Sequence, residues 1–143
     1  MSAEITEPLV SPDYRPSEDE AFMNPMMKAY FRNKLLKWRA ELLAESSETL
    51  AHLQEGGLQK PDLADRASDE SDKALELRTR DRERKLISKI DAAIRRLENG
   101  EFGYCEETGE PISVKRLDAR PIATMSLEAQ ERHERRERTH RDD

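Results

Sequence analysis

The chain has 143 residues and a mass of 16.6 kDa, enough for one domain or a small domain with an extended element. Leu, Ile, Val and Phe make up only 26 residues while Ala, Glu, Lys, Leu and Arg make up 74, which argues against a large compact enzyme core and for long helix or coiled coil. Five glycines and one cysteine exclude a collagen-like chain and a disulfide-stapled domain, and a net charge of −6 argues against binding by phosphate neutralisation.

Residues 1–23 are polar, acidic and rich in proline, and are expected to be extended or loosely docked. The opening MSAEITEPLVSPDY lacks an apolar core and is expected not to be a signal peptide. No apolar run reaches the ~20 residues of a membrane span, and a single cysteine fits a reducing cytoplasm.

Asn24-Pro25 marks a helix start, because Asn caps well and proline needs no donor in the first turn. Phe31, Leu35, Trp38 and Leu42 then recur at spacings of 4, 3 and 4, and Leu36, Leu43 and Leu50 form a second row at spacing seven. Gly56-Gly57 ends a helix expected over 25–55. The stretch GGLQKPDLADRASDESD is turn-rich and acidic. Local chemistry alone makes Asp62, Asp65, Asp69, Glu70 and Asp72 complements to the N-terminus of a second helix. Its apolar spacing is clear from Ala74 through Leu77, Leu86, Ile90, Ala93 and Leu97, until Asn99-Gly100 stops it. Two such helices joined by a short turn should pack antiparallel.

Residues 100–123 change character. Glycines, prolines and the β-type run Ile112-Ser113-Val114 predict a small ribbon of turns, after which Ser126 caps a last, exposed helix. The domain plan is therefore an N-terminal segment (1–23), a hairpin (24–99, tip at about 58–72) and a small region with a C-terminal helix (100–143).

No nucleophile motif, phosphate loop or carboxylate cleft is present, and no catalytic residue is expected. His133 and His140 are read as solvent-facing. A zinc site at Cys105 would need three more soft ligands. The positions that would complete it are Thr108, Ser126 and Ala129, so Cys105 reads locally as a small buried thiol. Residues 78–89 carry six basic and two acidic side chains, which suits either a solvated helix face or a phosphate-binding one.

Three segments together resemble the DksA/TraR family: PDLADRASDESDKALELRTRDRERKLISKI, FGYCEETGEPISVKRLDARPIA and FMNPMMKAYFRNKLLKWRAEL. The resemblance covers about residues 20–140. It implies a mostly α fold, with a long antiparallel coiled-coil hairpin, a small globular zinc-finger-like domain and a C-terminal helix. It implies a monomeric, cytoplasmic, non-enzymatic regulator that binds RNA polymerase through its secondary channel, with no sequence-specific DNA binding and no membrane. The family's tip pattern, Asp-x-x-Asp-x-Ala, stands intact as Asp62, Asp65 and Ala67. The resemblance also implies ppGpp as an effector held by Arg82, Leu86, Lys89 and Arg120, with Gln130 where a lysine is usual. Only Cys105 of the four family zinc positions is cysteine, so no metal is expected. The alternative function is a coiled-coil adaptor without direct action on polymerase.

Overall fold

A computed structural model describes residues 10–56 and 63–142. Four helices account for most of it: α1 (Pro25–Gly56), α2 (Leu63–Asn99), α3 (Val114–Ala119) and α4 (Leu127–Asp142). The chain divides into two compact units. One comprises residues up to Leu35 and from Ala92 onward; the other is Leu36–Asp91.

The Leu36–Asp91 unit is a helical hairpin made from the later part of α1 and the earlier part of α2. Its antiparallel sense is fixed by Arg39, which donates from Nε to Asp91 Oδ1 at 2.7 Å and so joins the start of one arm to the end of the other. Leu42 and Ile90 are buried here. So is Glu83, seven residues before Ile90 and therefore on the same face of α2. Helix α2 begins at Leu63, well before the first clear apolar repeat at Ala74. The 63–72 stretch lacks glycine and proline and includes the helix formers Ala64, Ala67 and Glu70, so a helix can run on where apolar spacing alone is silent.

The other unit is built around Met27, Phe31, Leu35, Phe102, Ile112 and Leu117, all essentially inaccessible to solvent. Asn24 caps α1 as its sequence predicts: its Oδ1 accepts from Met27 N at 2.9 Å. Residues 10–23 are more firmly held than their composition suggests. Tyr14 Oη donates to Glu20 Oε1 at 2.6 Å, the Tyr14 ring packs edge-on against Tyr30, and Met23 is buried. Glu18 Oε1 accepts from Val114 N at 2.8 Å.

That last bond belongs to a short helix that the β-type run Ile112-Ser113-Val114 did not predict. Val114 starts α3, with Ser113 Oγ accepting from Arg116 N at 3.2 Å and Glu18 satisfying a second orphan donor from 96 positions away. The ribbon of turns is real but contains a single antiparallel bridge, Tyr104 to Pro111. It is closed by Ile112 N to Gly103 O at 2.7 Å and Cys105 N to Glu110 O at 2.8 Å. Ser126 caps α4 as expected, its Oγ accepting from Ala129 N at 3.2 Å.

Candidate partner-binding sites on the hairpin and the globular unit

Asp62 lies outside the described residues. Asp65 and Ala67 stand in the opening turns of α2, which starts at Leu63. Their side chains also lie outside the described part. The backbone result is still informative: the two positions follow a helix start and share its orientation instead of hanging on a loop.

Further along α2, Arg82, Leu86 and Lys89 are spaced by four and three, so they form one stripe on a helix face. Arg82 and Lys89 are exposed and Leu86 is half-buried. Arg78, Arg84 and Lys85 are exposed as well, whereas Glu83 is turned inward with 6% of its surface accessible. The outward charge of this stretch is therefore more basic than its composition. Burial of Glu83 was not foreseen. One carboxylate oxygen, Oε2, is enclosed with no hydrogen-bond partner. Its heptad spacing from Ile90 and Leu97 was a signal that could have found it.

Arg120 and Gln130 belong to the globular unit. Arg120 is exposed just past α3, and its backbone N–H donates to Arg116 O at 2.8 Å. Gln130 is half-buried on α4 and donates from Nε2 to Glu134 Oε1 at 3.1 Å. The hairpin stripe and these two positions are thus each defined within their own unit.

The zinc-finger positions do not assemble a set of metal ligands. Cys105 is buried, and burial pushes its thiol up. Donation to sulfur from the Thr108 hydroxyl and from the backbone N–H groups of Ser126, Thr108 and Glu107 outweighs this and brings it down to about 6. Thr108 Oγ1 also accepts from Glu110 N at 3.2 Å, Ser126 Oγ is engaged as the α4 cap, and Ala129 is a fully buried methyl group. One thiol, two hydroxyls already committed and a methyl do not fit a tetrahedral zinc ion. Among the described residues no group of three or more His, Cys, Asp or Glu could hold a metal. His133 is exposed and pairs with Glu137 at 3.1 Å, in keeping with a solvated role.

A polar cluster on the same unit had no sequence signal. Tyr30 Oη donates to Asp118 Oδ1 at 2.5 Å, and Lys34 Nζ donates to the same oxygen at 2.7 Å and to Asp118 O at 2.6 Å. Burial pushes the Asp118 carboxyl up, but the hydrogen bonds from Lys34 and Tyr30 and the ammonium charge leave it below its ordinary value. Burial and the same carboxylate push the Tyr30 hydroxyl up to about 12.

Comparison with known proteins draws these parts together. The family model described as "DnaK suppressor protein DksA, N-terminal domain" matches residues 27–97, and "Prokaryotic dksA/traR C4-type zinc finger" matches residues 100–135. The chain belongs to the DksA/TraR family. It is 70% identical over 131 residues to the "RNA polymerase-binding transcription factor DksA" of Caulobacter vibrioides, covering 92% of each chain. It is 42% identical over 125 residues to the protein of that name from Haemophilus influenzae, covering 87% of this chain and 86% of the relative. Among solved structures, transcription factor DksA2 from Pseudomonas aeruginosa matches with a TM-score of 0.78 and 44% identity. That match covers 82% of this chain and 91% of the other. The mostly helical fold, a coiled-coil hairpin with a small C-terminal domain, is the DksA fold. Within a family region described by four cysteines, this DksA/TraR member keeps one.

Proposed function

We propose that this protein binds RNA polymerase and regulates transcription initiation, with the hairpin entering the polymerase secondary channel and its tip acting near the catalytic centre. The observation that carries the reading is 70% identity, over 92% of both chains, to a relative named as an RNA polymerase-binding transcription factor. The hairpin arms and the acids around the start of α2 support it. The factor works without catalysis of its own. It favours one polymerase state by binding it better than another, and promoters with short-lived complexes, such as those for ribosomal RNA, feel that difference most. Asp65 and Ala67, with Asp62, carry the effect at the tip. The exposed Arg82 and Lys89 beside Leu86, together with Arg120, offer the guanidinium and ammonium groups that a ppGpp phosphate needs. Gln130 supplies no charge there, so the coupling to ppGpp rests on the other positions.

The globular unit works without zinc in this reading, with Cys105 buried in its core. One zinc per chain by elemental analysis after exhaustive dialysis would sink that part. The protein acts in the cytoplasm and recognises no DNA sequence.

The deciding experiment is multi-round transcription with cognate polymerase on a ribosomal RNA promoter, titrating the protein with and without ppGpp. Repression that deepens with ppGpp is expected. Asp65→Asn should retain the fold and most polymerase binding yet lose repression, because it removes a charge without removing volume. No effect at saturating protein would move the adaptor reading to the front. Stimulated cleavage of a stalled transcript would instead make it a cleavage factor.

A further inference from the structure

Helix α3 is six residues long, too short to persist on its own. Burial of Val114 and Leu117 fixes which side of it faces the core, but not where the chain leaves it. Both of its ends are capped by side chains from far upstream. At the start, Glu18 Oε1 accepts from Val114 N at 2.8 Å. At the end, Lys34 Nζ donates to Asp118 O at 2.6 Å, a last-turn carbonyl that a helix leaves unpaired. The same ammonium reaches Asp118 Oδ1 at 2.7 Å, and Tyr30 Oη donates to that oxygen at 2.5 Å. An acid at the first end and an ammonium at the second also match the helix dipole. Arg120 stands two residues after Asp118. Its N–H donates to Arg116 O at 2.8 Å and its carbonyl accepts from Ala123 N at 3.0 Å, while its side chain is exposed. All of these residues belong to one compact unit.

We propose that Glu18 and Lys34 are positioning residues for Arg120: by capping α3 from outside, they set the direction in which its guanidinium is offered to the effector phosphate. This rests on the reading of Arg120 as a ppGpp contact. Neither Glu18 nor Lys34 needs to touch the effector. Magnitudes favour geometry over global stability as their role. Glu18 is exposed and Lys34 is more than a third exposed, and contacts of that kind contribute little to a whole fold. They weigh most on local opening of a short helix, which needs less free energy than unfolding the core. An arginine on a loosened mount binds with its intrinsic affinity reduced by the fraction of time it points correctly. The mount also gives residues 10–23 a part in the effector response, which the composition of that segment does not suggest.

Multi-round transcription with the full chain on a ribosomal RNA promoter, at graded ppGpp, tests it. Lys34→Met removes both Nζ bonds and keeps the stem, Glu18→Ala removes the acceptor, and Glu18→Gln retains one. Lys34→Met and Glu18→Ala should repress like the parent without ppGpp, yet need roughly fivefold more ppGpp to reach half of the added repression. Glu18→Gln should behave as the parent. Adding Lys34→Met to Arg120→Ala should cost nothing beyond Arg120→Ala, because the mount is idle once the guanidinium is gone. In Lys34→Met and Glu18→Ala, amide exchange should quicken at Leu117 and Arg120, which donate to Ser113 O and Arg116 O, and stay unchanged at Ile90 in the hairpin. A parent that ignores ppGpp, or an Arg120→Ala variant that responds like the parent, would overturn the reading of Arg120 and this proposal with it. A responsive parent matched by both Lys34→Met and Glu18→Ala would overturn this proposal alone. So would variants that lose repression equally without ppGpp, or a Lys34→Met loss that adds in full to that of Arg120→Ala.

Discussion

Gly103 shows how narrowly the globular unit is packed. Its φ is +90°, and a Cβ there would sit 2.8 Å from Phe22 Cζ, 3.1 Å from Met23 Cε and 3.3 Å from Leu117 Cδ1. Gly103→Ala should therefore cost roughly 1–3 kcal/mol through strain and overpacking, read as a lower urea midpoint. Cys105 makes a different prediction. A thiol lowered to about 6 when folded, against ~8.5 unfolded, contributes stability that is complete above the unfolded value and lost as pH falls through about 6. Thiolate absorbance at 240 nm should titrate near pH 6. The melting temperature should rise between pH 6 and 8.5 more steeply in the parent than in Cys105→Ala. Asp118 behaves likewise at lower pH: its depressed carboxyl contributes fully above the ordinary value near 3.9, and the contribution is lost as pH falls through its lower folded value. The destabilisation caused by Asp118→Asn should be constant above pH 5 and shrink toward pH 3. The contribution is small, because Lys34 and Asp118 are each more than a third exposed. Cys105 and its degenerate partners were legible from spacing, but the backbone N–H groups that lower its thiol carry no residue signature. The Tyr30–Lys34–Asp118 cluster joins positions more than 80 apart, beyond any local pattern.

Helix α1 was legible nearly to the residue, because Asn24-Pro25 and Gly56 punctuate a periodic run. The start of α2 was not, since acids and alanines extend a helix without apolar repeats. Helix α3 was missed because its start depends on Glu18, a residue of another segment. Within α2, Glu83 occupies a position where an apolar side chain would serve the hairpin better. Its enclosed Oε2 carries a desolvation cost that no partner offsets. Glu83→Met should raise the unfolding free energy by about 1–2 kcal/mol, seen as a higher urea midpoint with an unchanged m-value. A loss of stability instead would mean that the carboxylate has a partner in solution.

Family membership was legible because three segments keep their order along most of the chain, which no heptad pattern can imitate. The candidate site was legible only as a set of positions. Arg82, Leu86 and Lys89 lie in one unit and Arg120 in the other. The same division has a consequence for the order of events at the ribosome. The Leu36–Asp91 hairpin closes contacts between neighbouring stretches, so it can form while the rest of the chain is still being made. The bonds that seal the other unit join Glu18 to Val114, Tyr30 to Asp118 and Lys34 to Asp118, separations of 96, 88 and 84 residues. Glu18, Tyr30 and Lys34 must therefore wait for partners synthesised more than 80 residues later. Until then Met27, Phe31 and Leu35 lack their cover, and that interval is when the nascent protein is most open to chaperones and proteases.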